Sequence, residues 1–216
     1  MSKSNKARLL NITLHNLGRR FDQEWVFRNM DYTFSSSKKY AILGPNGSGK
    51  STLLKTIAGQ LSPSDGKIAY QISDGREVHV EDVYQHLSFA APYIELIEEF
   101  TLAEMLDFHF RFKSLLVGFD KATVLSFLNM DSSVSKPIRH FSSGMKQRVK
   151  LALACFSESD IVLLDEPTSN LDAEGEKWYL ELINMTCASK RLLFIGSNQE
   201  REYSFCDESI QVLDYK

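Results

Sequence analysis

A chain of 216 residues is long enough for one domain with a substantial core, with or without a subdomain. Hydrophobic residues at 43% and charged residues at 25% are ordinary for a globular protein, and a net charge of -3 supplies no basic field for nucleic acid. No apolar run approaches the roughly 20 residues of a membrane span, and the opening MSKSNKARLL lacks the apolar centre of a signal peptide.

The first residues alternate as strands do, over Leu9 to Leu17 and Met30 to Phe34. Tyr40 to Leu43 is a short apolar run that stops at a glycine-rich loop, as a buried parallel strand would. Ser51 to Ala58 then predicts a helix, with Gly59 placed to end it. Lys67 to Ile72 and Val78 to Val83 flank Asp74-Gly75 as a hairpin, and Leu87 to Ala91 predicts another strand. From Leu102 to about Met130 the pattern is helical, and the stripe Phe108, Phe110, Phe112 reads as packing or a partner surface. A second helix runs from Ser143 to Phe156, followed by a strand Ile161 to Asp165, a helix Gly175 to Thr186 and a strand Leu192 to Ile195. Ile210 to Leu213 completes the core. Alternation of strands and helices implies a mostly parallel sheet covered on both faces. Cys155, Cys187 and Cys206 have no metal-ligand spacing and read as reduced core thiols.

Gly44-Pro45-Asn46-Gly47-Ser48-Gly49-Lys50-Ser51-Thr52 fits the phosphate-loop pattern G-x-x-x-x-G-K-[ST]. Glycines let backbone N–H groups approach phosphate oxygens that side chains would keep away. The following helix aims its unsatisfied N–H groups at the same anion. Lys50 is placed to bridge the β- and γ-phosphates, Ser51 to ligate Mg²⁺, and Thr52 to reach the α-phosphate. The loop lies between a strand and a helix, as that chemistry requires, and predicts a nucleoside triphosphate site. Ile161 to Glu166 is an apolar strand ending in two carboxylates: Asp165 for the metal shell, and Glu166 to polarise a water in line with the γ-phosphate.

Two further segments make a family resemblance specific. Phe141-Ser-Ser-Gly-Met145, followed by Lys146-Gln-Arg148, resembles the LSGGQ-x-Q-R signature of ATP-binding-cassette (ABC) proteins, and Asp165 to Asp172 (DEPTSNLD) resembles their Walker B segment and D-loop. The agreement in order and spacing runs from about Leu9 to Leu213. The resemblance implies an α/β P-loop ATPase with a mostly parallel sheet, an antiparallel β subdomain and a helical subdomain at about 102–156. It also implies a second cassette as partner, most simply a second copy. Ser142 and Gly144 would then contact the γ-phosphate of ATP held by that copy, and Asp172 would lie across the seam. Phe21 stands where the family carries an aromatic that stacks on adenine, with a core role as its alternative.

Two family residues are missing. Ala91 or Pro92 occupies the place of a glutamine that touches Mg²⁺, and Gly196-Ser-Asn-Gln199 follows the last strand where a switch histidine is expected, which puts Asn198 in that position. An amide still donates a hydrogen bond but carries no positive charge, so slow hydrolysis with ATP binding retained is expected. The acidic loop Glu95, Glu98, Glu99 either meets basic residues of a partner's coupling element or is simply solvated.

The leading function is the ATPase subunit of a transporter, cytoplasmic and held at the inner face of the membrane by a multispan permease. A narrower resemblance, in size and overall pattern, is to the haem-exporter ATPases of cytochrome c maturation. A nucleotide-gated clamp outside transport is the alternative, although such proteins usually carry two cassettes or a coiled-coil insertion. A generic P-loop kinase would not explain FSSGM before DEPTSNLD.

Overall fold

The computed structural model describes residues 10–187 and 191–216, so the expected start of the first strand at Leu9 lies outside the described residues. Among the described residues, nine strands form two sheets. In the first, antiparallel and ordered β2-β1-β4-β5, β1 (Leu10–Phe21) and β2 (Glu24–Phe34) form a long hairpin. β4 (Asp65–Ile72) and the short β5 (Glu77–Val78) complete it. The second sheet is parallel and ordered β6-β7-β8-β3-β9. It contains β3 (Lys39–Leu43), β6 (Leu87–Ala90), β7 (Ile161–Asp165), β8 (Leu192–Ser197) and β9 (Glu208–Gln211).

One apolar core lies between the two sheets. It encloses α1 (Lys50–Ile57), whose Leu53, Leu54 and Ile57 are wholly buried among Leu10, Phe34, Tyr40, Leu163 and Phe194. A second core lies on the other face of the parallel sheet, under α2 (Leu102–Phe112), α3 (Lys121–Leu128), α4 (Ser143–Phe156) and α5 (Ala173–Thr186). β7 is buried at every position, which explains its unbroken run of Ile, Val and Leu: both of its faces meet a core. Where α4 ends and β7 begins, the buried Arg191 guanidinium donates to the carbonyls of Cys155, Ser157 and Ser159 and to the Ser159 hydroxyl, which together solvate its charge.

Three expectations about elements are revised. The strand expected at Val78 to Val83 ends at Val78 and gives way to a 3₁₀ turn over Val80–Gln85, in which Val83 alone is buried. The helical stretch Leu102 to Met130 breaks in two. Gly118 takes φ +94°, Leu115 bridges to Ser157, and Asp120 caps α3 by accepting from the Thr123 N–H at 2.8 Å. β1 and β2 outrun their alternating patterns because bulges at Asn16 (φ +48°) and Asn29 (φ +52°) interrupt the period of two. In the aromatic stripe, Phe110 packs against the core, whereas Phe108 and Phe112 remain exposed with their rings edge to face, 5.2 Å apart.

The parallel sheet aligns its functional ends. Leu43, which leads into the phosphate loop, pairs with Ser197, and Gly196 pairs with Asp165. The carboxyl ends of β3, β8 and β7 thus meet at one edge, where open α/β sheets bind ligands.

Candidate functional site

The phosphate loop runs from the end of β3 into α1. Gly44, Gly47 and Gly49 take φ of +148°, +78° and +109°. At Gly49 a Cβ would meet Val26 Cγ1 at 2.3 Å, whereas at Gly47 it would enter open space. The loop is therefore pinned from beneath by β2 and open above. Lys50 is 4% exposed, and its Nζ donates to the carbonyls of Gly44 (2.9 Å) and Pro45 (3.3 Å), folded across the loop's own mouth. Pro45, Asn46 and Gly47 are exposed, Ser51 and Thr52 half-buried at the first turn of α1.

Asp165 is 2% exposed at the tip of β7. Burial raises its carboxyl above the ordinary carboxylate range, and the facing Ser51 hydroxyl and Lys50 ammonium oppose that shift. Asp165 Oδ1 and Ser48 Oγ are buried polar atoms without a hydrogen-bond partner, both beside the loop. Unsatisfied acceptors and hydroxyls at an open glycine loop suit a phosphate and its cation. No group of three His, Cys, Asp or Glu side chains among the described residues could hold a metal alone. A Mg²⁺ held by Ser51 and Asp165 would therefore take the rest of its shell from phosphate and water, as is usual for that ion.

Glu166 is half-buried with φ +44°, a left-handed conformation that costs a non-glycine residue energy and recurs at functional turns. Its N–H donates to the Gly196 carbonyl at 2.8 Å, which fixes the turn against β8. Gly196 is required there, because a Cβ would lie 2.8 Å from Asp165 Oδ1 and 2.7 Å from Leu54 Cδ1. Gly196→Ala should therefore cost about 1–3 kcal/mol of stability by overpacking. Thermal melting of the variant would show a Tm several degrees lower; an unchanged Tm would mean this edge relaxes freely.

Asn198 follows β8 and donates from Nδ2 to Asn46 Oδ1 at 3.2 Å, so the end of β8 and the phosphate loop touch. Neither Ala91 nor Pro92 brings a side-chain oxygen to this edge. Ala91 is buried and Pro92 offers only its carbonyl, which accepts from Lys150 Nζ at 2.8 Å. Two residues beyond Ala91, the Tyr93 hydroxyl faces the Asp165 carboxyl, with Lys55 Nζ 3.9 Å from the centre of its ring. Burial and the Asp165 charge push the Tyr93 phenol up, so it keeps its proton. The sequence reading missed this residue; its signal was the first oxygen-bearing side chain after Ala91-Pro92. In the acidic loop, Glu98 is already paired with Lys146 of α4 at 2.5 Å, which ties it to the chain itself.

FSSGM begins α4. Ser142 is its exposed N-cap, accepting from the Met145 N–H at 3.2 Å, and Gly144 packs so closely on Asn170 that a Cβ would lie 2.9 Å from the Asn170 carbonyl oxygen. Asp172 caps α5, accepting from the Gly175 N–H at 2.8 Å. Ser142, Gly144, Arg148, Asn170 and Asp172 share one open cleft of about 550 Å³. Gln147 is buried in α4 and donates to the Pro167 carbonyl at 2.9 Å, linking this segment to the turn after Glu166. Phe21 is 48% exposed at the β1–β2 tip, with the Arg19 guanidinium 4.6 Å from its ring centre, which removes the core alternative. Phosphate loop, acidic turn and Asn198 thus come together on one sheet edge; Ser142, Gly144 and Asp172 form a separate exposed patch.

The profile of the ABC transporter family matches residues 27–169, about two thirds of the chain. The chain belongs to the ABC transporter family. It is an ATP-binding, ATP-hydrolysing cassette of that family. Similar proteins include the lantibiotic transport ATP-binding protein SrtF of Streptococcus pyogenes, 29% identical over 87% of this chain and 80% of the relative. The Nod factor export ATP-binding protein I of Burkholderia lata is 28% identical over 91% and 66%. Among solved structures, an ABC transporter ATP-binding protein from Pyrococcus furiosus superposes with a TM-score of 0.79 at 24% identity, covering 95% of this chain and 99% of that one. The cassette MJ0796, solved as a dimer in a post-hydrolysis state with ADP and Pi, gives 0.76 at 19% identity, with 93% of each chain covered. These structures share the cassette fold, with its parallel sheet, antiparallel sheet and helices.

Proposed function

We propose that this cassette is the energy-supplying subunit of a membrane transporter, and that two copies close around Mg-ATP. Each nucleotide would lie between Gly44 to Thr52 of one copy and Ser142 and Gly144 of the other. The observation that carries the reading is the separation of the two patches: a glycine-framed loop beside Asp165 and Glu166, and an exposed helix start in a different cleft. One copy supplies each half of a phosphate grip, so closure of a pair completes it.

In that arrangement Lys50 leaves the Gly44 and Pro45 carbonyls and bridges the β- and γ-phosphates. Backbone N–H groups of Gly44 to Thr52 hold the remaining oxygens, and Phe21 stacks on adenine with Arg19 behind it. Glu166 accepts a proton from the attacking water and orients it in line. Asn198 donates to the γ-phosphate, and Asp172 reaches the partner across the seam. Ser51 and Asp165 would hold a Mg²⁺, which would neutralise part of the phosphate charge.

No helix among the described residues is long and apolar enough to cross a membrane, so a multispan permease is the proposed anchor at the inner face. Relatives named for lantibiotic transport and Nod factor export support a transport role. Fractionation tests it: the cassette should pellet with membranes when its permease is co-expressed and stay in the supernatant without it. Identical distribution in both cases would overturn the assignment.

Asn198 makes hydrolysis slow. A neutral amide forgoes a charge-assisted hydrogen bond of about 1.5–3 kcal/mol, which amounts to one or two decades in rate if it acts only in the transition state. Asn198→His should therefore raise kcat by about 10- to 100-fold while leaving ATP affinity within a few fold. A variant no faster than the parent would show that the switch position does not limit the rate.

A further inference from the structure

Glu202, in the one-turn helix α6 (Glu200–Tyr203), is a carboxylate with 0% exposure, and the hydrolysis scheme above makes no use of it. Such a group is costly to bury unless its oxygens are hydrogen-bonded. No cation pairs with it among the described residues; every donor its side chain accepts from lies either in the turn after β7 or at the last residue of β8. One oxygen takes the Thr168 N–H at 2.9 Å and the Thr168 hydroxyl, and the other takes the Ser197 hydroxyl. Thr168 lies two residues after Glu166, and Ser197 lies immediately before Asn198. The Ser197 oxygen in turn accepts from the Gln199 N–H at 2.8 Å, which shapes the turn that presents Asn198. The carbonyl of Glu202 itself accepts from the buried Tyr179 hydroxyl of α5 at 3.0 Å, anchoring the short helix to the element that follows Asp172.

We propose that Glu202 is a positioning residue that latches the turn carrying Glu166 to the loop carrying Asn198, so that the two act on the γ-phosphate as one unit. A carboxylate suits this task because its two oxygens accept from the turn after β7 and the end of β8 at once, and a buried network fully satisfied in one arrangement resists any other. The Glu166 turn needs such support: its φ of +44° is strained, and beside its backbone bonds to Gly196 and Ser169 the Thr168 latch opposes its relaxation. Gln147 donating to Pro167 from α4 then extends the same unit toward the FSSGM helix. The inference rests on the proposed roles of Glu166 and Asn198.

The test is Glu202→Gln, which keeps shape and burial but replaces one accepting oxygen by a donor. At saturating Mg-ATP, kcat should fall at least tenfold while the dissociation constant for a fluorescent ATP analogue stays within threefold. Asn198→Ala should cost much less in the Glu202→Gln background than in the parent, because the latch that gives Asn198 its position is already gone. A merely stabilising carboxylate would lower Tm, leave kcat per folded molecule within twofold and let the two rate losses multiply; either of those kinetic results overturns the proposal. Should Glu202→Gln fail to fold, Ser197→Ala removes only the arm to the switch and supports the same two comparisons. Persistent hydrolysis by Glu166→Gln would instead sink the site assignment, whatever Glu202 does.

Discussion

Glu166→Gln should abolish turnover and trap ATP in a closed dimer. The amide matches the carboxylate in shape, so binding contacts survive, yet it cannot take a proton from water. Loss of a general base costs about 10²- to 10⁴-fold in rate. The turn itself should persist, because its geometry is held through the backbone: the residue 166 N–H on the Gly196 carbonyl and the Ser169 N–H on the residue 166 carbonyl at 3.1 Å. Purified with Mg-ATP, the variant should elute from size exclusion as a dimer retaining unhydrolysed ATP, whereas the parent elutes as a monomer once its nucleotide is spent. A variant that stays monomeric under Mg-ATP, or that turns over at the parent rate, would refute the role given to Glu166.

What could be read from the chain, and what could not, divides by range. Gly44 to Thr52 is legible because its function is backbone geometry, and glycine at fixed spacing is the only way to write that geometry in sequence. β7 is legible because burial on both faces forces an apolar run. Boundaries were lost wherever single residues override a period: Asn16 and Asn29 bulge the long hairpin, and Gly118 splits the helical stretch. The long-range contacts left no local trace. Tyr93 meets Asp165 across 72 positions, Asn198 meets Asn46 across 152, and Glu202 reaches Thr168 across 34. Each pairing follows from the strand order β6-β7-β8-β3, which sets β6 beside β7, β7 beside β8, and β8 beside the sequence-distant β3. A glutamate among Gln199 to Tyr203 reads as surface charge until the sheet is assembled over it.

Lys50→Ala should fail one step earlier, at nucleotide binding itself. The parent ammonium is buried and its described bonds are two carbonyls of its own loop, so phosphate oxygens would replace weak partners by charged ones. Losing that charge-assisted contact should weaken ATP affinity by about 10- to 150-fold, from roughly 1.5–3 kcal/mol. The fold should tolerate the change, since alanine is a good helix former and removes a cation from the positive end of α1. Thermal shift separates the two effects: without nucleotide the variant should melt near the parent, and at an ATP concentration that raises the parent's Tm it should shift little. Binding precedes closure, so Lys50→Ala combined with Glu166→Gln should behave as Lys50→Ala alone and accumulate no dimer at that concentration. If the double variant traps ATP as the Glu166 variant does, Lys50 is not the group that grips the phosphates.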